Sequence, residues 1–248
     1  MKDSESVQDS DPKHKNYNVK GLILSWKDSD SQWAFEKNCK DPVKQKLLGQ
    51  LGWLEPNCIS YNFNSFGFRD KEFDSRPCGI ALGCSFTEGT GLPEHTVWPR
   101  VLSNMTGTYI WNLGVGGSSI DTTFRLLDYW LAKLSPRFVT LCIPPDARVE
   151  VFDQITPVTL MPGVNSIPEP FNAFFKVWAS SDANARVSKR KNLLAMQQLC
   201  NQANVPLIYL DYTSMQPYGD ARDLAHFGVN SHANFAEQIY NLLPKDVL

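Results

Sequence analysis

Ser85 is the first residue whose surroundings suggest chemistry. It lies in the stretch Gly83-Cys84-Ser85-Phe86-Thr87-Glu88-Gly89, directly after a short apolar run that is typical of a buried strand. A serine nucleophile needs an exposed hydroxyl and a backbone N–H that faces the same acyl oxygen, and a tight turn flanked by glycines provides both. The same pattern also fits an ordinary strand-to-helix turn in which the serine caps the helix.

Asp223 and His226 form the second candidate group, three positions apart near the C-terminus. Residues i and i+3 of a helical turn share a face, so the carboxylate can hold the imidazole in one tautomer and stabilise its cation. A base in acyl transfer has this requirement. A surface aspartate and histidine that coincide would give the same spacing. The other histidines, His14, His95 and His232, are weaker candidates by position.

A glycine-rich turn, Gly114-Val115-Gly116-Gly117, follows the apolar stretch Tyr109–Leu113, which is predicted to be a strand. Its backbone amides could bind an oxyanion just before a helix that Ser118 or Ser119 caps. A plain turn or a phosphate-binding loop is the alternative. Neither GxGxxG nor GxxxxGK[ST] occurs in the chain, so nucleotide binding has little support.

From residue 77 onward, apolar runs alternate with amphipathic helical patterns. Strands are predicted near 79–84, 109–113, 138–143 and 206–211, and helices carry the apolar stripes Trp98-Val101-Leu102-Met105, Ile120 to Leu134, 185–203 and Val229 to Leu243. This alternation predicts an α/β fold with a parallel sheet and helices on both faces. Ligand sites in such folds lie at the carboxyl ends of strands, where Ser85 and the glycine turn fall.

Three regions fall outside this alternation. Residues 1–20 are predicted to be a flexible polar tail, and residues 21–76 an extension packed on a main domain of residues 77–248. Residues 146–185 carry four prolines and then Phe171, Phe174, Phe175 and Trp178 at helical spacing. They predict either a helix with its aromatic face on the core or an insertion that covers the site or binds substrate.

The composition limits the class of protein. The 248 residues are 42% hydrophobic and 20% charged with a formal net charge of −2, which predicts a globular core and no nucleic-acid partner. No apolar run approaches the ~20 residues of a membrane span, and the N-terminus lacks the apolar segment of a secretory signal. We therefore expect no membrane partner and a cytoplasmic protein, or one incorporated into a particle such as a virion. Six cysteines without CxxC spacing predict free thiols and no zinc site.

These motifs together resemble the SGNH (GDSL-like) hydrolase family over about residues 77–243. Residues 83–89 are similar to its first block, GDSxTxG, with Cys84 where Asp is typical. Residues 112–119 are similar to its second block, and the oxyanion-hole glycine of that block corresponds to Gly117. Residues 223–226 are similar to its fifth block. The resemblance implies a flavodoxin-like three-layer α/β/α fold, and acyl-ester hydrolysis or acyl transfer without a metal or organic cofactor.

The chain departs from this family in its third block, which normally supplies an Asn donor in a Gly-x-Asn-Asp stretch. Pro145 falls where that Asn is expected, and proline has neither a side-chain donor nor a backbone N–H. Losing one oxyanion donor can cost ~10²–10³ in rate. Three interpretations are open: a substitute donor such as Arg148, an oxyanion hole formed by two backbone amides alone, or a ligand-binding protein with weak turnover. We favour the first.

Two further residues are candidates for substrate contact or for the substitute donor. Asn112 opens the second block. Arg69 ends the stretch Asn64-Ser65-Phe66-Gly67-Phe68-Arg69, which is similar to an N-S-x-G-F-R stretch that precedes the first block in some SGNH proteins acting on acylated sugars. Arg69 would then line the cleft; pairing with a surface carboxylate is the alternative.

The expected function is that of a serine esterase or deacylase acting on a small acyl ester, with an O-acetylated carbohydrate as the preferred substrate. Ser85 would be the nucleophile, His226 the base and Asp223 its orienting partner, with the amides of Ser85 and Gly117 as the oxyanion hole. An O-acyltransferase acting on sugars and a non-catalytic carbohydrate-binding module are the alternatives. The oligomeric state is left open.

Overall fold

The computed structural model describes residues 19–163, 169–216 and 219–247, so the predicted polar tail lies almost entirely outside the described residues. The strands are β1 (Ile23–Leu24), β2 (Tyr61–Asn62), β3 (Cys78–Leu82), β4 (Tyr109–Asn112), β5 (Val139–Ile143), β6 (Val149–Asp153), β7 (Thr156–Leu160) and β8 (Leu207–Asp211). The α-helices are α1 (Gln32–Lys40), α2 (Pro42–Leu51), α3 (Ser85–Glu88), α4 (Trp98–Thr106), α5 (Ile120–Leu134), α6 (Phe171–Ala179), α7 (Asp182–Gln202) and α8 (Val229–Leu242).

Four of these strands form a parallel sheet in the order β4-β3-β5-β8. Ala81 pairs with Asn112 on one side of β3, and Leu82 pairs with Leu141 on the other. Numbered along the chain, the order is 2-1-3-4, which is the start of the flavodoxin-like order. The predicted parallel sheet is therefore confirmed, and its topology reverses at β3, the strand that precedes Ser85.

Helices cover both faces of this sheet. On one face, α5 and α7 pack over Ile80 and Leu82; on the other, α4 and α8 pack around Ala81. Side chains alternate between the faces along a strand, so β3 buries residues on both sides and all five of its residues are inaccessible. This confirms the predicted three-layer α/β/α architecture.

Local sequence signals explain where α5 begins and ends. Ser119 is the N-cap and forms a capping box with Thr122, and Asp121 lies in the first turn, where the helix dipole favours a negative charge. Ser135 ends the helix with a left-handed backbone at φ 43°, and Pro136 follows. Within the described residues, no helix has the length and apolar character that crossing a membrane requires.

The apolar stripe predicted for α4 is only partly buried. Trp98 and Leu102 are buried, but Met105 is 38% exposed. The helix ends one residue later, at Thr106, so Met105 belongs to its last turn.

The N-terminal extension contains β1, β2, α1 and α2. Its buried side chains form a cluster with Leu92, Val97 and Ala221: Phe35, Leu48, Trp53, Ile59, Tyr61 and Phe63. Leu92 lies in the loop that follows α3, and Ala221 lies two residues before Asp223. The extension therefore packs on the two segments that carry the candidate chemical residues.

The stretch 146–185 forms a β-hairpin, β6 with β7, followed by α6. The predicted aromatic helix exists, but its buried Phe175 packs on Val149 and Leu160 of the hairpin rather than on the central core, and Phe174 is 46% exposed. The hairpin is fastened to α5, since Arg125 donates two hydrogen bonds of 2.7 Å to the carboxylate of Glu150.

Candidate active site

A sharp turn after β3 presents Ser85. Gly83 has a positive φ of 150°, and a Cβ there would lie 2.2 Å from Thr87 Oγ1 and 2.8 Å from the carbonyl oxygen of Cys142. Only glycine fits this position, because a side chain would collide with both neighbours. Cys84 is buried, and Ser85 begins the single-turn helix α3 with 6% of its surface exposed.

The structure brings Ser85 together with His226, 141 residues further along the chain. His226 Nε2 lies 2.9 Å from Ser85 Oγ, and His226 Nδ1 lies 2.6 Å from Asp223 Oδ2. The three side chains thus form a continuous chain of hydrogen bonds at the carboxyl end of β3. Nucleophilic serine catalysis uses this order of hydroxyl, imidazole and carboxylate.

Asp223 and His226 reach each other through a non-helical turn, whereas their spacing predicts a helical turn. Asp223 Oδ1 accepts the backbone N–H groups of Ala225 and His226, each at 3.0 Å, and Leu224 has a left-handed φ of 56°. Helix α8 begins only at Val229. The aspartate side chain organises its own turn, as aspartates in loops commonly do, and this fixes its position relative to His226.

Hydrogen bonds keep the Asp223 carboxylate ionised despite its burial. Burial acts to raise the pKa of Asp223, but hydrogen bonds and charge from His226 and a hydrogen bond from Ser29 outweigh it, so its pKa lies below the ordinary value. The His226 ring is half-buried and meets the Phe86 ring edge-on, with the centroids 5.4 Å apart. The carboxylate is therefore suited to stabilise a cationic imidazole.

The glycine turn lies against the strand end that carries Ser85. The carbonyl oxygen of Gly83 accepts the Val115 N–H at 3.1 Å and the Ser118 hydroxyl at 3.2 Å. Gly117 has a left-handed φ of 73°, and a Cβ there would lie 2.9 Å from Met161 Cε. A residue with a side chain would be strained at this position, so the turn depends on glycine where the second block has its oxyanion-hole glycine.

Asn112 holds this turn in place and is not free to contact a substrate. Its side-chain amide donates to the carbonyl of Thr87 at 2.8 Å, and its side-chain oxygen accepts the Gly114 N–H at 2.9 Å. The residue is 4% exposed. The prediction that Asn112 contacts substrate or serves as the substitute donor is therefore corrected: it joins α3 to the glycine turn.

Arg69 is fully buried, and neither predicted role fits it. Its guanidinium donates to the carbonyls of Gly89 at 2.6 Å, Ser60 at 2.8 Å and Leu92 at 2.8 Å, and it stacks 4.2 Å from the Tyr61 ring centroid. It neither lines a cleft nor pairs with a surface carboxylate. Arg69 instead ties the extension to the loop that follows α3.

Arg148 lies next to the glycine turn. Its Nη1 donates to the carbonyl of Ser118 at 3.2 Å, one residue beyond Gly117. Pro145 is half-buried in the short loop between β5 and β6. Asn112 also contacts the turn, but its side chain is buried. Arg148 is therefore the predicted donor that lies beside the turn without being buried, and it has further N–H donors that this contact does not use.

Residues 27–29 also contribute to the site, and no sequence motif predicts this. Ser29 Oγ donates to Asp223 Oδ2 at 2.6 Å and lies 3.3 Å from His226 Nδ1. Lys27 forms ion pairs with Asp28 and with the buried Glu88, its Nζ lying 3.0 Å from Glu88 Oε2. Ser29 and Asp223 are 194 positions apart, and no motif marks this polar stretch, so only the folded structure relates them.

The remaining histidines lie elsewhere, as their positions suggest. His232 lies in α8, and its Nδ1 accepts the N–H of Trp98, the first residue of α4, at 3.1 Å. Burial lowers the pKa of His232 to about 3, so the ring is neutral. His95 is exposed in a short 3-10 helix. His14 lies outside the described residues.

No protein-family model matches the chain, and no curated protein matches it in sequence. Among solved structures it is similar to TesA (TM-score 0.45, 12% identity, covering 69% of this chain and 99% of that one). It is also similar to AlinE4, an SGNH-hydrolase family esterase (TM-score 0.36, 14% identity, 68% and 75% covered). A third is Est2A, an acetyl xylan esterase from the rumen bacterium Butyrivibrio proteoclasticus (TM-score 0.40, 10% identity, 72% and 66% covered).

AlinE4 is named as an SGNH hydrolase, and another similar structure is a member of the lipolytic G-D-S-L family from Veillonella parvula DSM 2008. The sequence motifs resemble the same family. Identity and TM-score are low throughout. The function proposed below therefore depends on the geometry of this chain's own residues.

Proposed function

We propose that this protein is a serine esterase or deacylase in which Ser85 attacks the carbonyl carbon of an acyl ester. The observation that carries the proposal is the continuous set of hydrogen bonds from Ser85 through His226 to Asp223, at 2.9 Å and 2.6 Å. Both lengths lie within the range for proton transfer between positioned side chains. The group also lies at the carboxyl ends of parallel strands, where this fold class binds ligands.

In the first step, His226 Nε2 takes the Ser85 hydroxyl proton as the oxygen forms a bond to the acyl carbon. Asp223 stabilises the resulting imidazolium through Nδ1. The imidazolium then returns the proton to the leaving alcohol, and the tetrahedral intermediate collapses to an acyl-serine. His226 then takes a proton from a water molecule as the water oxygen attacks the acyl carbon. The bond between that carbon and Ser85 Oγ breaks, the imidazolium returns the proton to Ser85 Oγ, and the carboxylic acid leaves. No cofactor enters these steps.

The negative oxygen of the tetrahedral intermediate requires donors. We assign this role to the backbone amides of Ser85 and Gly117, with the Arg148 guanidinium as the third donor in place of the third-block Asn. Two contacts support this assignment. The Ser118 hydroxyl, directly after the glycine turn, donates to the Gly83 carbonyl. Arg148 donates to the Ser118 carbonyl, one residue beyond Gly117. Donors held in advance of the reaction stabilise the developing charge without reorganisation.

For the substrate, we favour a small acyl group on an O-acetylated carbohydrate. The sugar is suggested by the N-S-x-G-F-R-like stretch, although Arg69 itself does not face a ligand. Transfer of the acyl group to a sugar hydroxyl would use the same residues, with an alcohol replacing water in the second half of the reaction.

The decisive test compares Ser85→Ala with the wild-type protein on nitrophenyl acetate and on acetylated sugars. We expect wild-type hydrolysis, loss of at least about 10³-fold in the variant and an unchanged circular-dichroism spectrum. Ser25→Ala, which alters an exposed serine, is the matched control. Full activity of Ser85→Ala would refute the assignment. Product analysis with an added sugar acceptor separates hydrolysis from transfer, and tight glycan binding without any turnover would favour a binding module.

A further inference from the structure

The Asp223 carboxylate is held by donors on both oxygens. Oδ1 accepts the two backbone N–H groups of its own turn, and Oδ2 accepts His226 Nδ1 and the Ser29 hydroxyl, each at 2.6 Å. Three of these donors come from the Asp223–His226 segment itself. The fourth comes from the N-terminal extension, which is remote in sequence. The extension therefore reaches the same oxygen that orients the imidazole.

The segment that carries Ser29 is fixed in a defined turn. Lys27 and Asp30 exchange two backbone hydrogen bonds, of 2.9 Å and 3.0 Å, which close a short loop with Ser29 at its tip. Asp30 is 1% exposed and accepts the Tyr61 hydroxyl at 2.6 Å. Ser29 is thus an exposed residue in a turn that Asp30 fixes in place. Its hydroxyl points at the carboxylate of Asp223, whose side chain is only 1% exposed.

Asp30, which fixes this turn, also binds Arg222, the residue before Asp223. Arg222 donates to both oxygens of Asp30, and its guanidinium lies 4.0 Å from the Trp26 ring centroid. Consecutive residues, Arg222 and Asp223, therefore bind consecutive residues of the extension, Asp30 and Ser29. This two-point connection fixes the distance between the Ser29 hydroxyl and the carboxylate more tightly than a single surface contact would.

We propose that Ser29 is a positioning residue, whose hydroxyl sets the rotation of the Asp223 carboxylate and through it the orientation of the His226 imidazole. The inference rests on the proposed function and deepens it, because it makes the N-terminal extension part of the acid–base machinery. The hydroxyl touches neither the scissile bond nor Ser85. Its effect appears in the step where imidazolium forms, since that is when the carboxylate must face Nδ1.

The test uses Ser29→Ala, the conservative Ser29→Thr and the matched control Ser25→Ala in the full chain. Ser25 lies in the same segment, and its contribution to Arg222 is made through its backbone carbonyl, at 3.0 Å. A hydrogen bond to a charged group supports an effect of roughly tenfold or more, so we expect kcat for nitrophenyl acetate to fall about tenfold in Ser29→Ala with little change in KM. Ser29→Thr keeps the hydroxyl and should restore most of the rate.

A second readout does not depend on turnover. The proton between His226 and Asp223 should give a far-downfield proton NMR signal, assigned by its loss in His226→Gln. In Ser29→Ala this signal should shift or broaden, whereas it should be unchanged in Ser25→Ala and Ser29→Thr. A structural role alone would lower the melting temperature without moving the signal.

Two results would overturn the inference: an unchanged signal and kcat in Ser29→Ala, or equal losses in Ser29→Ala and Ser25→Ala. Failure of the esterase proposal is recognised separately, by activity that survives in Ser85→Ala or by absence of turnover in the wild-type protein. In either case the NMR comparison still decides whether the Ser29 hydroxyl governs the Asp223–His226 pair.

Discussion

Arg222 and Asp30 form a buried ion pair in which Nε and Nη2 of the guanidinium donate to the two carboxylate oxygens, at 2.8 Å and 2.6 Å. The side chains are 0% and 1% exposed. Arg222 also donates to the carbonyls of Pro56 and Ser25, so most of its donors are used. This pair joins the residue before Asp223 to the N-terminal extension, and we propose that residues 21–76 and the main domain form one structural unit around the site.

Removing one member of this pair should be far more damaging than removing both. Asp30→Ala leaves a guanidinium buried without its counter-charge, and such losses cost about 3–5 kcal/mol in the free energy of unfolding. The double variant Asp30→Ala, Arg222→Met removes the uncompensated charge and should recover part of the loss. Urea unfolding of the two single variants and the double variant forms a double-mutant cycle. Single variants within 1 kcal/mol of the wild-type protein would contradict the interpretation.

Arg69→Met should destabilise the protein without a specific effect on substrate binding. The substitution removes a donor from the carbonyls of Ser60, Gly89 and Leu92. The Gly89 carbonyl keeps the Leu92 N–H at 3.2 Å and Ser60 is exposed, so the main cost comes from the buried Leu92 carbonyl, at about 1–3 kcal/mol. Arg76→Met is the control, because Arg76 is an exposed side chain whose loss should change stability by less than about 0.5 kcal/mol. Wild-type stability with a raised KM in Arg69→Met would instead restore the cleft-lining role.

The sequence identified those parts of the protein that depend on local patterns. Buried strands such as β3 appear as continuous apolar runs, and the alternation of strands with amphipathic helices predicts the layers. The Ser85 turn and the Asp223–His226 spacing are also predictable from the sequence, because each is a short motif. The distance between the two motifs is not predictable from either one, because it depends on how more than a hundred intervening residues pack.

The features that the sequence did not predict lack a local signal. The Ser29–Asp223 contact and the burial of Arg69 arise from tertiary contacts between the extension and the main domain. The hairpin of β6 and β7 turns at Gln154, which has a left-handed φ of 54°, where a glycine or asparagine would have marked the turn. Pro157 within β7 also argues against a strand in sequence-based reasoning.

Acid should remove the stabilisation that Asp223 provides. Its pKa is lower in the folded protein than the ordinary value of 3.8, so the contribution is fully present above that value and is lost as the pH falls through the folded pKa. Asp223→Asn should therefore be less stable than the wild-type protein at pH 7, and the difference should shrink below about pH 4. Urea unfolding from pH 7 to pH 3 measures this, with exposed Asp128→Asn as the control. A difference that is independent of pH would show that the ionised carboxylate is not the cause.

Arg148 provides the sharpest test of how the oxyanion is held in a chain that has Pro145 in place of the usual Asn. The guanidinium has five N–H donors, and the contact with the Ser118 carbonyl uses one of them, so others remain for an oxyanion beside Gly117. If Arg148 is the third donor, Arg148→Met should lower kcat by ~10²–10³ and change KM much less, because the charge exists only in the transition state. Arg186→Met removes an exposed arginine and is the matched control.

A second substitution separates donation from positive charge. Pro145→Asn in the Arg148→Met background reintroduces a neutral donor at the position where the family has one, and a partial recovery of kcat would show that the lost function was hydrogen-bond donation. Recovery by Arg148→Lys alone would instead indicate that charge near the turn is sufficient. Wild-type kcat in Arg148→Met would eliminate the substitute donor and leave the two amides of Ser85 and Gly117 as the whole oxyanion hole, because proline at position 145 has no N–H to add.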